Sequence, residues 1–441
     1  MSFAEGGITP RLKPLGARQS ATLSVLDVGT SKVVCLVAEL LPVGEPASLR
    51  GRTHLARVVG IGHQRSHGLK GGAIVDLEAA EGAIRQAVHA AEWMARVEIR
   101  SVIVSLTGGR LGSKQFAAEA PVRGGPVGPN DVARVLGAAS AGSFRPNRAT
   151  LHALPTGYVL DGVGPIVDPL GMVGDKLGVD LHVVTAEAAA ARNLMLAVER
   201  CHLGVEAMIA TPYAAGLSVL VDDEAEMGAV TIDLGGGTTS FGVFGGGQIV
   251  HADAVAVGGH HVTMDIARGL STRIADAERL KIGHGSATVA GFDERDTIAV
   301  PQVDEDERDV SSLLSKAHLA RIIRPRIEEI LELVRDRLKA AGFADAAGRQ
   351  VVLTGGASQL PGLPEVVRHF MSGQVRVGRP LGIKGLPEAA RGPAFSVVAG
   401  LLAYPEVAGR EHAVPRAGGL SAGTGTDGYF SRVGRWIRES F

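Results

Sequence analysis

The stretch Gly228–Ser240, GAVTIDLGGGTTS, joins an apolar segment to three glycines and then to hydroxyl residues. Its β-branched and aliphatic residues predict a buried strand, and the glycines predict a tight turn whose backbone N–H groups can approach an anion closely. Asp233 stands just before the turn, where a carboxylate can hold hydrated Mg²⁺ beside phosphates. An ordinary glycine-rich hairpin is the alternative, because short glycine motifs are common.

A second stretch near the start of the chain has the same arrangement. Leu23–Ala38, LSVLDVGTSKVVCLVA, predicts a strand, a turn and a second strand, with Asp27 before the turn and hydroxyl residues and Lys32 after it. Two such hairpins, one in each half of a long chain, predict a duplicated fold with a nucleotide between the halves. A third stretch, Val351–Ser358 (VVLTGGAS), predicts a strand that delivers two glycines to a turn passing close to a base or ribose.

The three stretches, in this order, resemble those of the actin/Hsp70/sugar-kinase superfamily. The resemblance is closest to the FtsA family of bacterial cell-division proteins and covers roughly residues 23 to 441. It implies an α/β fold, namely the actin-like two-lobed ATPase fold of duplicated RNase H-like domains, with an inserted α+β subdomain called 1C. The stretches that carry it include LDVGTSKVVCLVAE, GGAIVDLEAAEGAIRQAVHAAEWMA, LHVVTAEAAAARNLMLAVERCHLGVE, IDLGGGTT, DAERLKIGHGSA, VVLTGGASQLPGLPEVV and GRWIRESF.

The resemblance implies ATP and Mg²⁺ as cofactors. Asp27 and Asp233 would position the metal through water. Phosphate contacts would come from the two hairpins, and nucleoside contacts from a Glu–Lys pair on one helical face together with the third glycine turn. In full, the phosphate residues are Gly29, Thr30, Ser31, Lys32, Gly235, Gly236, Gly237 and Thr238, and the nucleoside residues are Glu278, Lys281, Gly355, Gly356 and Ala357.

One position departs from catalytically active members of the superfamily. Relatives similar to Hsp70 and MreB carry a glutamate just before a proline in the segment that crosses between the halves, and this chain has Thr211 before Pro212. A hydroxyl group is a poor general base, and base catalysis typically contributes 10²–10⁴-fold. We therefore expect weak or absent hydrolysis and no catalytic residue, unless another residue replaces the glutamate.

The resemblance also implies a division of the chain into subdomains. An apolar helix over Pro393–Tyr404, with Gly400 at a close helix approach, would close the first half. The implied segments are subdomain 1A at 21–98, 182–207 and 392–405, inserted subdomain 1C at 99–181, subdomain 2A at 208–271 and 319–391, and subdomain 2B at 272–318. Composition alone predicts a disordered tail at 1–20 and a flexible linker at 406–428, which is rich in Gly, Ala and polar residues and lacks periodicity, before an amphipathic helix at 429–441.

Composition excludes several classes of protein. A chain of 441 residues with 45% hydrophobic and 21% charged residues indicates a globular protein of more than one domain. The net charge of −1 argues against a nucleic-acid partner. Cys35 and Cys201 lie far apart in apolar contexts and predict neither a disulfide nor a metal site. Residues 1–20 lack the apolar region of a secretory signal, and no apolar run is long enough to span a bilayer.

The last thirteen positions, YFSRVGRWIRESF, predict a helix that lies in a membrane interface. At ~100° per residue, aromatic and aliphatic side chains share one side and arginines the other. Docking on the protein's own core is the alternative. We expect weak single-copy binding to anionic lipids, strengthened when the protein polymerises. The apolar side consists of Tyr429, Phe430, Val433, Trp436, Ile437 and Phe441, and the basic side of Arg432, Arg435 and Arg438.

The remaining expectations concern partners. A helical pattern spans Leu313–Leu338, and Pro325 is expected to divide it into two helices. The resemblance implies that Arg326 and Glu329 bind the C-terminal peptide of the tubulin-like FtsZ, that subdomain 1C recruits later division proteins, and that the protein polymerises as a peripheral protein on the cytoplasmic side of the inner membrane at the septum. A pilus-assembly scaffold like PilM, or an active soluble ATPase or kinase, are the alternatives.

Overall fold

The computed structural model of the chain describes residues 9–12, 15–43, 52–108, 110–143, 145, 147–290, 295–301, 311–344 and 349–412. The strands are β1 (Ala21–Val28), β2 (Lys32–Pro42), β3 (His54–Arg65), β4 (Leu69–Lys70), β5 (Ala73–Ile74), β6 (Ser101–Leu106), β7 (Gly112–Pro121), β8 (Arg148–Leu160), β9 (Val163–Ile166), β10 (Lys176–Glu187), β11 (Gly204–Ala210), β12 (Ala229–Leu234), β13 (Thr239–Gly245), β14 (Gln248–Val255), β15 (Thr297–Pro301), β16 (Ser311–Ser315), β17 (Gln350–Thr354), β18 (Gln374–Val377) and β19 (Ile383–Lys384). The helices are α1 (Leu77–Ala95), α2 (Pro129–Ala141), α3 (Ala188–Glu199), α4 (Thr211–Val219), α5 (Asp222–Met227), α6 (Gly259–Gly269), α7 (Ile274–His284), α8 (Lys316–Ala340), α9 (Leu363–Met371) and α10 (Ser396–Val407).

Two sheets that share a five-strand topology form the two lobes, and the first has one further strand, β19. The first has the order β11-β6-β1-β2-β3-β19, and the second has the order β18-β17-β12-β13-β14. In each, an antiparallel hairpin (β1–β2 or β12–β13) lies beside a parallel strand (β6 or β17). All side chains of β12 are buried, as its apolar sequence predicts. The duplicated actin-like α/β fold expected from the sequence is therefore confirmed.

The inserted module is a separate sheet with its own core. Its strand order is β7-β10-β8-β9, and α2 packs against it. The module begins later than the predicted residue 99, because β6 pairs in parallel with β1 and belongs to the first lobe. At its other end, the predicted last residue, 181, lies inside β10, which continues to Glu187 because it pairs with β8 throughout.

The crossing between the lobes also differs from the predicted boundary at residue 208. That residue lies inside β11, which pairs in parallel with β6 in the first sheet. Helix α4 follows, and the second lobe's sheet begins with β12. Helix α10 packs on α4, as expected from Gly400: a Cβ atom there would lie 1.7 Å from the carbonyl oxygen of Ala214.

Helix α8 corrects the prediction that Pro325 divides the segment into two helices. It runs from Lys316 to Ala340 with Pro325 inside, and Ser315 caps its start. The proline is on the exposed side. A proline there removes one helical hydrogen bond, but a buried apolar stripe continues on both sides of it and favours one helix. The stripe includes Leu319, Ile323, Ile327, Ile330, Leu331, Val334 and Leu338.

The described segments near both ends, 9–12, 15–20 and 406–412, pack on the fold, although a disordered tail and a flexible linker were expected there. Within the predicted tail 1–20, the backbone N–H of Thr9 bonds Thr150 of β8, and that of Leu15 bonds Pro405 of α10. Within the predicted linker 406–428, the N–H of His412 bonds the carbonyl oxygen of Ala153, also on β8. Buried carboxylates explain the order on the C-terminal side, since unpaired charges are costly to bury.

Those carboxylates are Glu406 and Glu411, each with a side chain 2% exposed. Glu406 accepts hydrogen bonds from the backbone of Thr53 and His54. Glu411 bonds Nδ1 of His152 at 2.8 Å. Segments 9–12, 15–20 and 406–412 are thus part of the folded unit. The predicted membrane helix at 429–441 lies outside the described residues. Within the described part of the chain, the helices are too short or too polar to cross a membrane.

Candidate functional site

The first hairpin places Asp27 at the end of β1, where the two lobes meet. Its Oδ1 accepts a hydrogen bond of 2.5 Å from the hydroxyl of Ser105 on β6. Burial raises the pKa of Asp27, and the Ser105 bond and the charge of Lys32 oppose that rise only in part. Parallel pairing of β1 with β6 is what brings Ser105 alongside.

The second hairpin places Asp233 opposite it. This side chain is 7% exposed and lies 3.5 Å from the hydroxyl of Ser240 across the hairpin. Burial, and then the charge of Asp27, raise the pKa of Asp233 to about 7. The two carboxylates therefore share one desolvated site, and a cation there would relieve their repulsion.

The turns of the two hairpins touch each other. A Cβ atom at Gly237 would lie 2.6 Å from the hydroxyl oxygen of Thr30, and one at Gly236 would lie 2.9 Å from Cβ of Ser31. Side chains at these two glycines would push the hairpins apart. The predicted phosphate residues of both halves, including Gly29, Gly235 and Thr238, are thus brought to one place.

The third glycine turn lies beside the second hairpin, as expected. Gly355 has a φ of +84°, and a Cβ atom there would lie 2.3 Å from Oδ1 of Asp233. The next residues begin a short 3₁₀ turn. Its Ala357 faces Gly259 at the start of α6, since a Cβ atom at Gly259 would lie 3.0 Å from the Ala357 methyl group.

The predicted Glu–Lys pair also joins this group. Nζ of Lys281 lies 2.7 Å from Glu278, 2.8 Å from the hydroxyl of Thr263 and 3.1 Å from the carbonyl oxygen of Gly259. Burial would raise the pKa of Glu278, but the Lys281 and Thr263 bonds outweigh it and lower the pKa. The pair is therefore a fixed ion pair near the Gly355–Ala357 turn. Gly259 links the two, because its carbonyl oxygen bonds Lys281 and its Cα faces Ala357.

Sequence reasoning missed several residues of this cleft. The β4–β5 turn, Gly71 and Gly72, reaches between the hairpins: the N–H of Gly72 donates to the Thr30 hydroxyl at 3.1 Å. Gly258 packs on the carbonyl of Gly235, where a Cβ atom would lie only 2.5 Å away. Adjacent glycines signal turns, but only the fold shows that these turns meet the phosphate hairpins.

Thr211 is the first residue of α4, and its hydroxyl lies 2.5 Å from that of Thr107. The position expected to carry a general base thus presents two hydroxyl groups bonded to each other. Neither is a strong base, so the two side chains offer hydroxyl groups and no carboxylate at this position, and weak hydrolysis stays a prediction.

Lys32, predicted to contact phosphate, begins β2 beside both aspartates. Its ammonium donates to the carbonyl oxygen of Ala394 and lies 3.8 Å from the ring centroid of Phe395. Burial lowers the pKa of Lys32, and the charges of Asp27 and Asp233 act against that change. The ammonium thus connects the first hairpin to the turn that precedes α10.

The donor set fits Mg²⁺ with a polyphosphate. Two buried carboxylates, rather than a full cage of protein oxygens, match an ion that keeps several of its waters. Turns of glycine backbone beside them match an anion. Among the residues that the structure describes, no cluster of three or more His, Cys, Asp and Glu side chains could form another metal site.

Arg326 and Glu329, the predicted partner residues, lie on α8. The Arg326 guanidinium bonds Asp265 of α6 at 2.6 and 3.1 Å and also bonds Glu329. These bonds, led by the one to Asp265, raise the pKa of Arg326. The arginine is about a quarter exposed, so a partner would meet a guanidinium that is already oriented. The predicted membrane residues lie outside the described part of the chain.

Family models and sequence relatives agree on one family. Residues 230–400 match the family model described as cell division protein FtsA, and residues 108–185 match that of the SHS2 domain inserted in it. A cell division protein FtsA of Agrobacterium fabrum is 54% identical over 432 residues, which cover 98% of each chain. Those of Pseudomonas aeruginosa and Escherichia coli are 35% and 33% identical, each over 94% of this chain and 97% of their own.

Solved structures are similar at the level of the fold. The PilM–PilN type IV pilus biogenesis complex matches with a TM-score of 0.59 at 16% identity, over 87% of this chain and 98% of that one. MreB5 of Spiroplasma citri bound to ADP matches with a TM-score of 0.52 at 14% identity, over 89% and 98%. At such identities the likeness supports the two-lobed fold.

Proposed function

The chain belongs to the cell division protein FtsA family, and from that premise we propose that it is an ATP-binding, actin-like protein that polymerises on the cytoplasmic face of the inner membrane. Family membership gives it a role in cell division. In the proposed role it tethers the FtsZ ring to the membrane and recruits later division proteins through the inserted module.

The observation that carries nucleotide binding is the pair of desolvated carboxylates at the touching hairpins. Burial raises the pKa of both Asp27 and Asp233, the charge of Asp27 adds to the rise at Asp233, and glycine turns from both lobes lie beside them. When bound, Mg²⁺ supplies charge neutralisation between these carboxylates and the phosphates. The protein's own part is to hold the two carboxylates and the backbone donors in fixed positions.

Titration calorimetry with ATP tests this proposal in the full chain. Wild type should bind ATP more tightly with Mg²⁺ than without it. Asp233→Asn keeps the side-chain shape and removes the charge, so it should lose at least tenfold in affinity with Mg²⁺ and little without it. Equal affinities of the two proteins in the presence of Mg²⁺ would contradict the assigned role of the carboxylate.

Hydrolysis separates a structural ligand from a substrate. Because Thr107 and Thr211 offer no carboxylate, we expect phosphate release far slower than ATP dissociation. Thr211→Glu would restore a carboxylate at that position and should raise the release rate, with Thr211→Gln as the matched neutral control. Rapid release by wild type would favour the alternative of an active soluble ATPase or kinase.

Membrane attachment is proposed for the segment 429–441, whose arginines would face anionic lipids and whose aromatic side chains would enter the interface. Sedimentation with anionic vesicles should pellet the full chain, and a chain that ends after His412 should stay in solution. This cut keeps Glu406 and Glu411, which belong to the folded unit. Equal behaviour of the two chains would remove the proposed anchor.

Polymerisation would strengthen that attachment, because head-to-tail contacts need not close into a ring and many anchors then act together. We expect ATP to increase the pelleted fraction of the full chain. An increase of the same size in Asp233→Asn, which should bind Mg–ATP poorly, would show that assembly is not linked to nucleotide.

The FtsZ contact is proposed at Arg326 and Glu329, since the FtsZ tail is partly acidic by the family resemblance. Arg326→Glu should weaken binding of an FtsZ C-terminal peptide at least tenfold. Arg324→Glu changes the same charge on the same helix, where Arg324 bonds Glu328, and serves as the matched control. The PilM–PilN complex, on which the pilus-assembly alternative is based, is similar to this chain only in fold. Absence of FtsZ-peptide binding would favour that alternative.

A further inference from the structure

The turn Pro393–Phe395, which leads into α10, contacts the nucleotide cleft at two places. On one side, the carbonyl oxygen of Pro393 accepts hydrogen bonds from the N–H of Gly355 and the hydroxyl of Thr354, both at 3.2 Å. On the other side, Ala394 and Phe395 hold the ammonium of Lys32. One short turn therefore joins the first hairpin to the third glycine turn.

The Lys32 ammonium is held by two groups of different kinds. It donates to the Ala394 carbonyl, and the Phe395 ring lies under it with 3.8 Å between Nζ and the ring centroid. The negative face of an aromatic ring attracts a cation, more strongly where water is excluded. The Phe395 side chain is 8% exposed, so the contact is largely desolvated.

A third side chain fixes the ring. His63 of β3 meets Phe395 edge to face, with the ring centroids 5.6 Å apart. Aromatic pairs favour this geometry. Burial, and then the charge of Lys32, lower the pKa of His63, which favours the neutral imidazole beside the ammonium. His63 of β3 thus fixes the Phe395 ring, and the ring in turn holds the Lys32 ammonium.

We propose that Phe395 is the positioning residue for Lys32, and that together with the Ala394 carbonyl it holds the ammonium where the phosphates of a bound nucleotide meet it. The inference rests on the proposed nucleotide binding. The Phe395 ring does not contact the phosphates; it acts through Lys32. Without the ring, a long flexible lysine would lose its fixed position, and the ordering would have to occur during binding.

The proposal has a consequence for the hinge. The residue after Phe395 is Ser396, the first of α10, and its hydroxyl oxygen lies 2.7 Å from that of Thr354, within hydrogen-bond distance. A nucleotide held by Lys32 on one side and by the Gly355 turn on the other would therefore fix the start of α10. Since α10 packs on the crossing helix α4 through Gly400, phosphate binding would stiffen the connection between the lobes.

The test is a double-mutant cycle read by calorimetry with ATP, ADP and adenosine, all on the full chain. Lys32→Gln should weaken ATP and ADP at least tenfold and leave adenosine within twofold. Phe395→Met keeps the apolar volume and removes the ring face, so it should weaken ATP and ADP about three- to tenfold with adenosine unchanged. Phe395→Tyr keeps the ring face and should stay within about twofold of wild type.

The double variant decides between positioning and packing. If Phe395 acts through Lys32, adding Phe395→Met to Lys32→Gln should cause no further loss. Losses that multiply, or a Phe395→Met variant that loses adenosine as strongly as ADP, would overturn the proposal and assign the ring to packing. A wild type that binds neither ATP nor ADP would instead refute the proposed nucleotide binding itself, and the inference with it.

A variant that fails to fold does not decide the matter, so each is first compared by urea unfolding. If Phe395→Met is unstable, Phe395→Leu replaces it in the cycle.

Discussion

At the level of single residues, the cleft concentrates negative charge that its own side chains do not neutralise. Asp27 and Asp233 face one nearby cation, Lys32, which is shared with the turn before α10. Such a site is a poor arrangement for stability and a good one for binding. The free-energy cost of the buried carboxylates remains until a cation and an anion bind together.

The first prediction follows from the pKa of Asp233. Because that pKa is raised from 3.8 to about 7, the folded protein binds this proton more tightly than the unfolded chain, and stability falls as the pH rises from about 4 to 7. Without Mg²⁺ or nucleotide, Asp233→Asn should raise the free energy of unfolding by up to about 4 kcal/mol at pH 8. Urea unfolding measures it, and the gain should shrink toward pH 5. A gain independent of pH would mean that Asp233 is ionised throughout.

The second prediction compares two glycines inside helices. Gly400→Ala would place a methyl group 1.7 Å from the Ala214 carbonyl and should lower the free energy of unfolding by about 3 kcal/mol, as overpacking does. Gly137→Ala on α2 meets nothing within 4 Å, and helix propensity should make it stabilising by about 0.5–1 kcal/mol. Chemical denaturation checks both. An unchanged or higher free energy of unfolding for Gly400→Ala would show that α10 and α4 can separate at little cost.

These residues also show what sequence can predict. Local patterns predict the turns at Asp27, Asp233 and Gly355 and the helical spacing of Glu278 and Lys281. The role of the Glu–Lys pair came from the family resemblance, and the fold brings all of these residues to one cleft. The contact of the Lys32 ammonium with the Phe395 ring was not predicted. Phe395 lies 363 positions further along the chain, and the fold brings its ring to Lys32 only because α10 packs where it does. No local pattern carries that information.

At the level of elements, α8 shows that a buried stripe can outweigh a local rule. Pro325 predicts two helices, and the structure has one. The same competition explains the described segments near the termini. Glycine-containing composition without periodicity predicts a disordered tail and a flexible linker, but buried ionic contacts of Arg11, Glu406 and Glu411 hold parts of both against the first lobe and the module. Boundaries at residues 99 and 208 failed for a related reason, because strands β6 and β11 join a sheet formed by distant parts of the chain.

The third prediction concerns that proline. Pro325→Ala restores an N–H to an exposed position inside α8, so it should raise the free energy of unfolding by about 2 kcal/mol, somewhat less than the full propensity difference because proline also stiffens the unfolded chain. Pro364→Ala in the first turn of α9 is the control, since prolines are favoured there. No gain at Pro325 would show that a bend in α8 is needed for packing.

At the level of the whole molecule, the inserted module contacts the second lobe as well as the first. Nδ1 of His182 on β10 lies 2.9 Å from the carbonyl oxygen of Ile249 on β14, and Ser113 of β7 meets both His251 and the N–H of Ala252. The module therefore joins the two lobes at a point separate from the cleft. Any relative movement of the lobes has to act on these contacts.

The fourth prediction is an acid sensitivity of that joint. Burial lowers the pKa of His182 to about 3 and that of His251 to about 4, so both stay neutral in the folded protein while the unfolded chain takes up protons below pH 6.5. From pH 7 to pH 5, each should cost about 2 kcal/mol of unfolding free energy. His182→Gln should remove about half of this loss. Gln115→Leu, which breaks a bond to Val250 at the same joint, should lower stability equally at both pH values.

The hydrogen bond between His412 and Ala153 has a mechanical meaning. Residue 412 is bonded to β8 of the inserted module, so a force on the chain beyond it would act on the module before it acts on either lobe. A rotation of the module relative to the lobes would in turn move this point of attachment. Tension on residues beyond 412 would be felt first by β8, and through Nε2 of His152, which accepts the N–H of Ala210 beside Thr211, it would reach the edge of the cleft in three bonded steps.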